Sequence, residues 1–95
     1  MKTAIMKTFT ITPKDAGRNP FCIKMPVGII NAYEGITGPV NDKKMSCLAN
    51  AAGVTDDDTN ASATEKITKA MAEEADMHGL KNLIVNAAKT NGVKI

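Results

Sequence analysis

The chain has 95 residues, enough for a single small domain spanning 1–95. Ala supplies 13 of its hydrophobic residues, and Leu, Ile, Val and Phe together number only 19, so the core it can build alone is thin. A net charge of +2, no Trp and two Cys exclude a polyelectrolyte tail, a disulfide scaffold and a large catalytic core.

No stretch approaches the roughly 18 apolar residues that a bilayer crossing requires. A secretory leader needs an apolar region of about 7 to 15 residues, and Lys7, Thr8 and Thr10 break the one that begins at Met1. An intracellular chain, neither secreted nor attached to a membrane, is therefore expected. Cys22 and Cys47 stand far apart with no CxxC spacing, which predicts free thiols buried as small apolar groups.

Two unlike halves follow one another. Residues 1–54 carry seven cations against three acids, and residues 55–95 carry five against seven. All four prolines and five of the seven glycines lie at or before Gly53. Residues 1–40 thus read as extended and turn-rich, and 41–95 as helical.

In chain order, Thr3 to Thr12 alternates, with Ile5, Phe9 and Ile11 on one face and threonines on the other. That is a strand with one buried side, on which Lys7 is a misfit. Pro13 to Pro20 is a loop. Phe21 to Ile30 is a second extended run, and Pro26 makes it an edge strand or two short strands. Asn31 to Val40, with Gly35, Gly38 and Pro39, reads as irregular.

From Asn41 the period becomes helical. Met45, Leu48, Ala49 and Ala52 mark a helix over 42–52, capped by Asn41 or Asp42 and stopped by Gly53. Ser62 with Glu65 forms a capping-box pattern that predicts a helix over 63–78, although Thr55 with Asp58 is a competing start. Leu80, Leu83, Ile84, Ala87 and Ala88 give the cleanest stripe, predicting a helix over 80–91 with the most deeply buried face. Val93 to Ile95 could add a short strand. The expected fold is α+β: an N-terminal antiparallel sheet of two or three strands followed by three helices.

Leu48-Ala49-Asn50-Ala51-Ala52-Gly53-Val54-Thr55 resembles the first helix and turn of a helix-turn-helix DNA-binding motif. The resemblance implies a DNA-binding regulator with Lys43, Lys44 and Thr55 near the nucleic acid. It stops at Asp56, Asp57 and Asp58, whose charges would meet phosphate rather than neutralise it. Asp56, Asp58 and Asn60 also alternate as calcium ligands do, but Ala61 replaces the turn Gly and Ile67 the closing Glu. One His and two distant Cys make neither a transition-metal set nor a spaced nucleophile–base pair. No metal, cofactor or catalytic residue is expected, and nucleic acid ranks second to protein as a partner.

The leading expectation is a non-enzymatic protein-binding or structural subunit, self-associating or part of a larger assembly. Its surface would be the apolar extended segment, with Phe21, Met25, Val27, Ile29, Ile30 and Tyr33 facing the partner by strand addition or packing.

Overall fold

The computed structural model describes residues 5–95. Thr3 and Ala4, where the first strand was expected to start, lie outside the described residues. Strand β1 runs Met6–Ile11 and pairs antiparallel with β2, Phe21–Pro26, so that Phe9 faces Ile23 and Ile11 faces Phe21. The alternation works as read: Phe9, Ile11, Ile23 and Met25 are buried, while Thr8, Thr10, Cys22 and Lys24 are exposed. Lys7 escapes burial at the end of the inner face, with its ammonium 5.3 Å above the Phe9 ring.

Four helices follow, not three: α1 Val27–Thr37, α2 Asp42–Ala51, α3 Asn60–Asp76 and α4 Lys81–Thr90. Helix α1 replaces the end of the expected second strand and the irregular stretch after it. Pro26 closes the strand and serves as N-cap, and the amide of Val27 bonds back to the Ile5 carbonyl at 2.8 Å. The β-branched run Val27, Ile29, Ile30 favours a strand locally, but Ile29, Ile30 and Tyr33 lie on one helical face and are buried. Tertiary burial of that face outweighs the propensity. Among the described residues no third strand forms, and residues 93–95 are irregular.

Helix α2 is capped by Asn41, whose side chain accepts from the Lys44 amide at 2.9 Å. Helix α3 starts at neither expected residue. Thr59 is its N-cap and accepts from the Ser62 amide at 3.0 Å, so Ser62 serves as the residue read by the cap rather than as the cap itself. Three helix ends share one device. Gly53, Gly79 and Gly92 have φ near +75°, and the amide after each bonds five residues back: Val54 to Ala49, Leu80 to Ala75 and Val93 to Ala88.

The hairpin rests on α2 beneath β1 and α3 beneath β2, while α4 packs on α3 and α1. Helix α3 is the central element, burying Ala63, Thr64, Ile67, Thr68, Met71, Ala72 and Ala75. Helix α4, expected to be the deepest, buries only Ile84 and Ala88. The radius of gyration is 12.6 Å, close to the ~12 Å of a compact domain of this length, so the front half is folded in rather than extended as an arm.

Both outer edges of the hairpin are bonded by helix side chains. On α2, Ser46 Oγ accepts from the Thr12 amide at 2.9 Å, and Asn50 accepts from the Lys14 amide while donating to the Thr12 carbonyl at 3.1 Å. Asp42, one turn earlier, accepts from the Thr10 amide at 3.3 Å. On α3, the Asn60 amide grips both backbone groups of Lys24 at 2.7 and 2.9 Å, and Thr64 donates to the same carbonyl. These bonds occupy backbone groups that would otherwise template a further strand. Among the described residues, no helix is long and apolar enough to cross a membrane.

Candidate protein-binding surface

The six residues expected to meet a partner do not form a surface. Met25, Ile29, Ile30 and Tyr33 are core residues, and Phe21 and Val27 are half-buried. The cause is α1: winding residues 27–37 into a helix turns Ile29, Ile30 and Tyr33 inward, on the side where α1 meets β2, α3 and α4. Tyr33 is fully buried yet satisfied, since its hydroxyl donates to Glu74 Oε2 at 2.9 Å and Lys44 Nζ lies 3.8 Å from Glu74 Oε1. Burial first, and then this bond to Glu74, push the phenol above its ordinary value of 10.0.

Lys43, Lys44 and Thr55 are not brought together either. Lys44 is turned toward Glu74 and the Tyr33 ring at the start of α2, whereas Thr55 lies beyond its other end, about 15 Å of helix away. The short turn of a helix-turn-helix is absent, because α3 begins seven residues after Gly53. Its exposed face carries Glu65, Glu73 and Asp76 against Lys66 and Lys69, and Lys66 is itself paired with Asp58.

The acidic run between α2 and α3 is an internal fastener. Arg18 of the hairpin loop is paired with Asp56 and lies 3.6 Å from Asp57. Asp58 accepts from the Thr55 amide at 3.0 Å, the Ser62 hydroxyl at 2.9 Å and Lys66 Nζ at 2.9 Å. Lys66 foremost, then the Thr55 amide and Ser62, hold the Asp58 carboxyl down at about 2. No group of three or more His, Cys, Asp or Glu is placed to hold a metal ion among the described residues. Cys22 and Cys47 are free thiols, but exposed rather than buried as expected, because one lies on the outer sheet face and the other on the outer side of α2.

Because the folded carboxyl sits below its ordinary 3.8, Asp58 stabilises the chain above about pH 4, and that contribution fades as pH falls toward about 2. Asp58→Asn is therefore expected to cost about 1 kcal/mol near neutrality and to flatten the acid limb of stability. Urea midpoints at about pH 6, 4 and 2 check this; parallel curves for the two proteins would refute it.

Large apolar side chains are exposed at Ile5 and Met6 at the start of the hairpin, at Ile95, and as a group of three at the corner between α3 and α4. Met77 is 85% exposed, Leu80 44% and Leu83 45%. Leu80 and Leu83 are neighbours on one helical face, three residues apart. The shared helix-end device makes their exposure informative. At the end of α2 the apolar residue after the glycine, Val54, is buried, and at the end of α4 Val93 is half-buried, but Leu80 stays open. The corner also has its charges at the wrong helix ends. Glu73, Glu74 and Asp76 crowd the C-terminus of α3, and Lys81 opens α4, opposing the dipole of each helix.

Periodicity signalled Leu80 and Leu83 but suggested the core. The apolar stripe of α4 is wider than the surface that α1 and α3 offer it, so Ile84 and Ala88 turn inward and the leucines stay at its margin. Nothing in the sequence marked Met77. Comparison with family models, curated proteins and solved structures finds no match for this chain.

Proposed function

We propose that the chain is a non-enzymatic protein-binding subunit of an assembly, docking through the α3–α4 corner. The carrying observation is the exposure of Met77, Leu80 and Leu83 within seven residues, in a chain with few large apolar side chains to spare. The latched hairpin edges favour recognition by an apolar helix face over strand addition. The acidic run and Arg18 hold the hairpin loop to the start of α3, which supports a structural role for them rather than a chemical one.

The test places a photo-crosslinking residue at position 83, in the cells that make the chain, with the exposed sheet residue Thr8 as control. A discrete adduct from position 83 that Leu80→Glu removes is the expected result. No adduct, or equal yields from positions 83 and 8, would overturn the proposal. The exposed side chains should be dispensable for folding, so Leu80→Glu is expected to change stability by no more than about 0.5 kcal/mol, measured by thermal melting.

A further inference from the structure

We infer that the molecule seated on the α3–α4 corner is a second copy of this chain, related to the first by a two-fold axis. This rests on the corner being a protein-binding surface and names its occupant. The order along the corner is Asp76, Met77, His78, Gly79, Leu80, Lys81: acid, apolar, turn, apolar, base. A two-fold axis through the turn exchanges the two ends. Met77 of each copy then meets Leu80 of the other, and Asp76 of each meets Lys81 of the other.

The acid-to-base order makes the corner complementary to itself, and two observations leave its charges free to pair across the axis. Asp76, Met77, Leu80 and Lys81 are all exposed, and neither charged residue takes part in the ion pairs formed among the described residues. Each charge also opposes its own helix dipole, Asp76 at the C-terminal end of α3 and Lys81 in the first turn of α4. Within one chain that placement is mildly unfavourable; across the axis it becomes two complementary pairs. Leu83, one turn into α4, extends the apolar centre. The patch is small beside a standard interface of about 800 Å² per partner, so the dimer is weak and reversible, with a dissociation constant in the micromolar range.

Sedimentation equilibrium of the full chain from about 1 µM to about 1 mM tests this, with thermal melting of the same variants as a second readout. The wild type is expected to pass reversibly from monomer to dimer. Asp76→Lys and Lys81→Asp, singly, should each weaken the dimer about tenfold, and the double exchange should restore it. Leu83→Glu should abolish it. Melting moves the other way: each single exchange corrects a helix-dipole mismatch and leaves the monomer as stable as the wild type or more so.

A merely structural role for these charges would lower both readouts together. A wild type that stays monomeric throughout, or a dimer indifferent to Asp76→Lys, would overturn the pairing. In the crosslinking experiment, an adduct of twice the chain mass supports it. An adduct of any other fixed mass refutes self-pairing while leaving the corner as a binding surface, whereas no adduct removes both.

Discussion

Tyr33→Ala is expected to remove about 3 to 5 kcal/mol of folding stability, a large part of the ~5 to 14 kcal/mol that a chain of this length commands. Tyr33 is fully buried in the core cluster, on the helix that meets β2, α3 and α4, so truncation leaves a ring-sized void. The hydroxyl carries a smaller share. Tyr33→Phe keeps the ring and loses the bond to Glu74, an expected cost of about 1 kcal/mol. Urea titration followed by far-ultraviolet circular dichroism measures both. A cost below about 1 kcal/mol for Tyr33→Ala would mean that residues 27–37 are not packed as described.

The second large effect is expected from releasing two helix-to-hairpin ties together, that of α2 to residues 12–14 just beyond β1 and that of α3 to the outer edge of β2. Asn50→Ala frees the Thr12 carbonyl and the Lys14 amide; Asn60→Ala frees the amide of Lys24 and one of the two bonds to its carbonyl. The two sites lie on different helices and share no partner, so their costs should add to about 2 to 3 kcal/mol. A second consequence follows from the chemistry of sheets. Unsatisfied edge groups recruit further strands, so the double variant should aggregate faster than a core variant of equal stability. Urea midpoints with light scattering at matched stability separate the two effects. Aggregation no faster than that of the core variant would show that the latches only stabilise.

These two experiments probe features of unequal legibility. The hairpin was visible in the alternation of Phe9 and Ile11 against Thr8 and Thr10, because a period of two has only one interpretation when one face is buried. Helix α2 was equally plain, with its cap at Asn41 and its glycine stop at Gly53. Helix α1 was hidden by its own composition: two glycines and five β-branched residues in eleven favour other structures, and only the spacing of Ile29, Tyr33 and Ile36 argued for a helix. The edge latches were invisible as well. Asp42, Ser46 and Asn50 recur at helical spacing, but polar residues at that spacing ordinarily face water.

The candidate site shows the same division. Exposure of Leu80 and Leu83 could not be read from their stripe, since a periodic pattern gives the direction of a face and not the area waiting to cover it. Burial of Met25, Ile29, Ile30 and Tyr33 depended equally on what lay opposite them.

Taken alone, the order of residues determined a small α+β chain with an N-terminal hairpin, glycine-ended helices after Asn41 and a limited stock of large apolar side chains. Only the tertiary structure decided that residues 27–37 wind into a helix, that α3 rather than α4 is the central element, and that the α3–α4 corner stays uncovered. The physical reason is that turn chemistry and periodicity act over a few residues, whereas burial is a competition among distant segments for the same limited apolar surface.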